Sequence, residues 1–248
     1  MRVKLTVAYD GTDYCGWQIQ PNGNTVQQEL MNAVADLFGE EISVPGASRT
    51  DAGVHAHGNV CCIDVDTKMD PGKIAFALNR RLPEDIVVTE SVLVPDGENG
   101  FHPRYGAHRK AYEYRIWNMP HPDPILRRYT LHHHHHLDEA LMDHGGQYLV
   151  GEHDFTSFAS VKSQTDSFVR TIYALSVTRS ESGLVTIHVE GNGFLYNMVR
   201  IIAGTLIMVG DGRMKPEEIK DILGALDREK AGPTAPPQGL HLLWIDYD

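Results

Sequence analysis

Positive charge is scarce in this chain, and cysteine is scarcer. Its 248 residues carry 22 Lys and Arg against 33 Asp and Glu, a formal net charge of -11 with histidine neutral. Phosphate binding is driven by Lys and Arg displacing counterions, so this balance argues against a general nucleic-acid coat and leaves room for a local basic groove. The three cysteines, Cys15, Cys61 and Cys62, form no CxxC pair. Adjacent Cys61 and Cys62 point to opposite faces of a strand and cannot jointly ligate a metal in the usual way, which argues against zinc. The odd count without a secretory signal argues for reduced, mostly buried thiols. Long hydrophobic runs are missing too. The most apolar stretch, MVRIIAGTLIMVG (Met198 to Gly210), is interrupted by Arg200 and too short to span a bilayer. The N-terminal MRVKLTVAYD alternates like a strand instead of reading as a signal. A soluble, cytoplasmic protein with no membrane partner is the expectation.

What the chain does contain is an α+β pattern in two halves, expected at 1–105 and 106–248. In the first, RVKLTVAYDG reads as a strand. TVQQELMNAVADLFG reads as an amphipathic helix, with Thr25 as its N-cap and Gly39 just past its end. NVCCIDV and IVVTESVLV read as strands, and PGKIAFALNRRL as a helix opening at Pro71. The loop-like Asp96 to Lys110 is the expected crossover. The second half offers strands at KAYEYRIWN, TIYALSVTRS, LVTIHVEGNGF and LHLLWIDYD. Its helices are expected near LDEALMDHGGQYL, weakened by Gly145 and Gly146, at YNMVRIIAGTLIMVG and at KPEEIKDILGAL. Strands grouped with helices, without strict alternation, predict mainly antiparallel sheets covered on one face, two similar α/β-sandwich-like halves.

The polar stretch ASRTDAGVHAHG (Ala47 to Gly58) raises the question of chemistry. Asp51 follows Arg49 by two residues and precedes Gly53 by two, with His55 and His57 beyond. Ala52 and Gly53 permit a tight turn and the approach of a bulky ligand, and Arg49 can clamp a carboxylate or a phosphate. The same pentapeptide also suits an aspartate that merely caps a turn. His55 and His57 are proton carriers by type, but a role in shaping the loop is the preferred reading. The internal run His132 to His136 reads as a loop leading into the helix at Leu137, not as a metal site. Basic residues cluster between Gly100 and Thr130, where Arg104, Arg109, Lys110, Arg115, Arg127 and Arg128 face only Glu113 and Asp123. A solvated basic face explains that cluster as well as a binding groove does.

Six segments occur in order: YDGTDYCGWQIQPNGNTVQQEL, SRTDAGVHAHG, FHPRYGAHRKAYEYRIWN, GEHDFTSFAS, GNGFLYNMVRIIAGTL and APPQGLHLLWIDY. Together they closely resemble the TruA family of tRNA pseudouridine synthases over essentially the whole chain. The resemblance implies two α+β halves joined across a central active-site cleft. It implies isomerisation of uridine to pseudouridine at positions 38, 39 and 40 of the tRNA anticodon stem-loop, by a homodimer using neither cofactor nor metal. It also implies that Asp51 is the nucleophile, that Arg49 helps displace the target base, that Tyr112 packs against the uracil, and that Arg200 pairs with the aspartate. Ser48 stands where many members carry glycine, which leaves Arg49, Thr50 and Asp51 in place.

The chemistry asks for such residues. Forming pseudouridine breaks the N1–C1′ glycosidic bond and joins C5 to C1′, with no oxidation and no group lost to water. A carboxylate acting as in glycosidases is therefore required, in a site that excludes water. Such a carboxylate must be largely buried yet ionised, and a guanidinium such as Arg200 favours the charged form. The stacked base must be flipped out. Arg49 can fill the gap and Tyr112 can stack on the extruded ring. Gly191 and Gly193 allow close backbone approach, and Asp154 reads as a structural or capping acid. Arg80, Arg104, Arg109, Lys110, Arg127 and Arg128 are the candidate RNA contacts. A non-catalytic RNA-binding module would explain the basic strip but leaves Asp51 and Arg200 without purpose. A metal hydrolase would need ligands at spacings the sequence lacks.

Overall fold

Strict alternation in RVKLTVAY produces the first strand, β1 (Arg2–Tyr9), whose odd positions Val3, Leu5, Val7 and Tyr9 are buried. In the computed structural model, which describes residues 1–97, 100–161, 163 and 165–248, β1 belongs to one of two units. The first unit is Met1–His108 with Leu242–Asp248, and the second is Arg109–His241. Residues 98 and 99 of the expected crossover lie outside the described residues.

In the first unit, β1 pairs antiparallel with β2 (His55–Asp64) and with β3 (Ile86–Val94). The C-terminal strand, β9 (Leu240–Asp246), returns to pair with β2, giving the order β3-β1-β2-β9. Helix α1 (Val26–Phe38) begins as its sequence predicts. Thr25 Oγ1 accepts from Gln28 N at 3.3 Å, and Gly39 ends the helix at φ 78° with its N–H on Ala35 O. Val26, Leu30, Ala33 and Val34 recur on one face and are buried. Helix α2 (Pro71–Asn79) is shorter than PGKIAFALNRRL predicts. It stops because the Asn79 amide is taken by β3, giving a hydrogen bond to Val88 O at 2.9 Å and taking one from Val88 N at 2.8 Å. The other end of α2 is pinned by Ser91 of β3, whose hydroxyl donates to Pro71 O and accepts from Ala75 N.

The second unit holds β4 (Arg109–Trp117), β5 (Leu131–His132), β6 (Gly151–Asp154), β7 (Val169–Arg179) and β8 (Leu184–Gly191). The order is β4-β8-β7-β6, antiparallel throughout, with β5 parallel to β4. Helix α3 (Glu139–Gln147) packs on β7 and on α4 (Met198–Gly210), and α5 (Glu218–Ala225) follows. Both glycines expected to weaken α3 lie inside it. Gly146 packs directly on Leu175: a Cβ there would sit 2.2 Å from Leu175 Cδ2 and would require that side chain to shift. Helix α4 is buried at every position except Arg200 and Met208. No helix among the described residues is long and apolar enough to cross a membrane. The architecture is α+β with mainly antiparallel strands, as the patterning predicts.

Candidate active site

The Asp51 loop is built from the peptide outward. Ser48 and Thr50 are buried, and between them Arg49 points into solvent. The two buried neighbours are tied down. Thr50 Oγ1 and Tyr9 Oη share a hydrogen bond of 2.7 Å, and Trp17 N donates to Thr50 O at 3.1 Å. Asn59 Nδ2 donates to Ser48 O at 3.0 Å and to Tyr9 Oη at 3.3 Å. Beyond Thr50 the chain turns, Val54 N donating to Asp51 O at 3.1 Å, with Gly53 in the left-handed region at φ 77°. Asp51 is half-buried at this turn. Such buried polar contacts are costly to leave unmade, so the turn has little freedom to move.

The segment YDGTDYCGW wraps the turn at very short range. A Cβ at Gly11 would lie 2.0 Å from Val54 O, and one at Gly16, itself at φ 88°, 2.5 Å from Thr50 O. Only glycine lets the two backbones approach this closely. His55 is buried at the start of β2, with Nδ1 3.1 Å from both Gly11 N and Asp10 Oδ1. It therefore holds the wrapping segment to the loop, as the loop-shaping reading expects. His57 is exposed.

Tyr112 and Arg200 belong to the second unit. Tyr112 lies on β4, buried to 8% exposure, and meets the Phe194 ring edge-on with centroids 5.2 Å apart. Arg200 occupies the first turn of α4 and is half-buried. Its Nε donates to Ala235 O at 2.8 Å and its Nη1 to Asn197 Oδ1 at 2.9 Å. A cation at a helix N-terminus opposes the helix dipole, and these two oxygens offset that cost. Asn197 reaches its position by adopting a left-handed backbone at φ 62°. Beside it, Tyr114 Oη donates to Pro236 O at 2.7 Å. Burial pushes the Tyr114 hydroxyl up while the Arg200 charge pulls the other way. Tyr9 and Asn59 thus support the Asp51 turn, and Asn197 and Tyr114 the surroundings of Arg200, although no motif reading singled them out. Their only signal was adjacency to motif positions.

The other face of β4 carries a charge network. Arg115 reaches Glu113 at 3.0 Å, while His188 Nε2 lies 3.0 Å from Glu190 Oε1 and its Nδ1 3.9 Å from Glu113 Oε1. At 3.9 Å, His188 acts on Glu113 as a charge, whereas Arg115 also donates hydrogen bonds. His188 and Arg115 together bring the Glu113 carboxyl down to about 2. His188, flanked by Glu113 and Glu190, is raised.

The candidate RNA contacts are spread over both units. Arg80, just past α2, and Arg104 are exposed in the first. In the second, Arg127 and Arg128 are exposed on a short 3-10 turn and Lys110 is half-buried on β4. Arg109 is paired with Glu190 and lies over the Tyr173 ring at 5.4 Å. The histidine run begins at the last residue of β5 and continues through the loop that follows, and α3 begins two residues beyond Leu137, capped by Asp138. Within it His133 Nε2 lies 3.9 Å from Asp211 Oδ2. No group of three or more potential metal ligands occurs among the described residues. Asp154 Oδ1 accepts from Thr156 N and Oγ1, a structural use. All three cysteines are free, and burial pushes the Cys62 thiol up to about 11.

Comparison with known proteins is specific. A family model described as tRNA pseudouridine synthase matches residues 5–106 and 146–248. The tRNA pseudouridine synthase A of Ruminiclostridium cellulolyticum is 48% identical over 246 residues, covering 99% of each chain. That of Bacillus subtilis is 44% identical over 250 residues, covering 100% of each. Among solved structures, a chain in a structure of an H/ACA RNP bound to a substrate RNA containing 2′-deoxyuridine aligns with a TM-score of 0.35 at 11% identity. That alignment covers 97% of this chain and 45% of the other.

Proposed function

The chain belongs to the tRNA pseudouridine synthase family, and from that premise we propose that it isomerises uridines 38, 39 and 40 of the tRNA anticodon stem-loop with Asp51 as nucleophile. It is an isomerase acting on tRNA. The observation that carries the assignment to Asp51 is its turn: a half-buried carboxylate whose flanking peptides are locked by Tyr9, Trp17 and Asn59.

The reaction is balanced within the substrate. The N1–C1′ bond breaks, the uracil rotates, and C5 bonds to C1′. The proton on C5 leaves to solvent and N1 regains one. Asp51 supplies the carboxylate that carries the separated fragments, as glycosidase carboxylates do for oxocarbenium-like centres. A carboxylate fixed by its backbone loses no reorganisation energy at the moment of reaction. We assign Arg49 to displacing the target base, which its exposure between two anchored residues suits. Tyr112 is assigned to the uracil ring and Arg200 to supporting the ionised aspartate. In this reading the protein acts in the cytoplasm as a homodimer, and the exposed arginines contribute phosphate contacts.

The test is release of tritium from a tRNA transcript labelled at C5 of its uridines, in the presence of EDTA. Release by wild type and none by Asp51→Asn is the expected result. Wild-type binding of tRNA without any release would replace the synthase reading with a recognition module.

A further inference from the structure

Arg170, the second residue of β7, is a half-buried cation that meets no anion among the described residues. Its Nη1 donates to two carbonyls, Ser167 O at 3.0 Å and Val169 O at 2.6 Å. No carboxylate reaches it among the described residues. Arg2, Arg81, Arg109, Arg115, Arg179 and Arg213 are each paired with an Asp or Glu, whereas Arg228, half-buried like Arg170, rests on Ala231 O and also reaches the Thr234 hydroxyl. Withdrawing a guanidinium from water without a counter-charge is unfavourable, and the burial of Arg170 accordingly pulls its pKa down.

The neighbours say what kind of group is missing. A Cβ at Gly193 would sit 3.8 Å from Arg170 Nε and 3.9 Å from its Cδ, so the Nε edge borders a residue with no side chain of its own. The next residue, Phe194, is the one whose ring meets Tyr112. Two residues further, Tyr196 presents a 47% exposed ring. The loop from Gly191 to Asn197 thus carries Gly193, which borders Arg170, then Phe194, which meets Tyr112, and Tyr196, which is exposed. A guanidinium with one nitrogen fixed on carbonyls keeps its remaining N–H groups pre-organised for a tetrahedral anion.

We propose that Arg170 is a phosphate-binding residue of the Tyr112 site, taking a backbone phosphate next to the target nucleotide. The proposal rests on the tRNA substrate reading above. Flipping a nucleotide rotates its flanking phosphates, and a fixed cation holds the rotated backbone in place. Arg170 touches substrate in this account but no reacting atom, so its effect falls on binding.

The test uses the full chain and a tRNA transcript, comparing wild type, Arg170→Gln and Arg170→Lys. Measured are Kd between about 50 and 200 mM salt, KM and kcat for tritium release, and Tm. Arg170→Gln is expected to raise Kd and KM about tenfold. It should also flatten the slope of log K against log salt by about 1, with Tm and saturating kcat little changed. Arg170→Lys keeps the slope and recovers part of the affinity. Unchanged Kd and slope in Arg170→Gln overturn the proposal. So does a Tm loss shared by both variants with no change in slope, which would make Arg170 a pin for the 167–169 turn. Should Arg170→Gln not fold, Arg170→Lys decides. A several-fold rise in KM at unchanged Tm supports the proposal, and a lower Tm at unchanged KM overturns it. A wild type that binds tRNA but releases no tritium sinks the synthase reading alone, and the salt slopes still test Arg170.

Discussion

In the first unit Asp51 is positioned through its backbone, whereas in the second Arg200 and Arg170 are positioned through side-chain nitrogens resting on carbonyls. Around Asp51, Thr50 is bonded at both its hydroxyl and its carbonyl, and Gly11 and Gly16 bring a second backbone against the turn. The Arg200 contacts include Ala235 O and Asn197 Oδ1, and those of Arg170 include Ser167 O and Val169 O. The difference follows from the tasks. A nucleophile must be held to a fraction of an ångström, which close-packed backbone achieves. A group that receives a flexible polyanion gains from long side chains that can adjust.

The comparison can be broken most severely at Gly11. Gly11→Ala places a Cβ 2.0 Å from Val54 O, a backbone atom that can yield only by moving the Asp51 turn. A displacement of about 1 Å near the reacting group costs roughly 100-fold in kcat. Steady-state tritium release should show that loss with tRNA binding largely kept; wild-type kcat would mean that the wrapping segment does not position Asp51.

A smaller effect is expected at Asn197, where strain and hydrogen bonding can be separated. Its left-handed φ of 62° costs an Asn little and a Gly less, so Asn197→Gly should leave Tm unchanged or raise it. The same change removes the acceptor of Arg200 Nη1. A kcat lowered several-fold, by about 1 kcal/mol, in an undiminished fold is the expected outcome. Unaltered kcat would show that Arg200 is held well enough without the Asn197 amide.

The smallest effect concerns stability against pH at His188. Its folded pKa is raised by Glu113 and Glu190, so the stabilisation is fully present below the ordinary histidine value of 6.5 and is lost as pH rises through the higher folded value. His188→Gln should therefore destabilise more at slightly acidic than at alkaline pH, by up to about 1 kcal/mol, because the group is partly solvated. Glu113 has the opposite sign: its contribution holds above the ordinary value of 4.5 and is lost as pH falls toward about 2. Denaturant melts of the His188 variant that run parallel to wild type across pH would deny the network any role.

Much of this arrangement is legible in the sequence where the signal is local. The caps of α1, the Pro71 start of α2 and the strand Ile86–Val94 all follow from residues within a turn of one another. The Asp51 motif is visible for the same reason, its residues being contiguous. Elements decided by distant partners are not legible. Strand β2 begins at His55, earlier than the apolar NVCCIDV suggests, because the imidazole is buried against Gly11, 44 residues away in sequence. Helix α2 ends early because Asn79 bonds to β3. The four-residue β6 forms from GEHD, which carries no strand composition, through its pairing with β7. Residues 242–248 join the first unit through pairing that no periodicity encodes. Arg170 gave no signal in the sequence, since only the structure reveals that nothing acidic meets it.

The most direct test of the central claim is position-resolved mapping of pseudouridine in a tRNA transcript after incubation with EDTA and either wild type or Asp51→Asn. The account predicts conversion by wild type at positions 38 to 40 and at no other uridine. It predicts a loss of at least about 1000-fold in Asp51→Asn with tRNA binding retained. Conversion by Asp51→Asn at the wild-type rate would contradict it, and would move the nucleophile away from this loop.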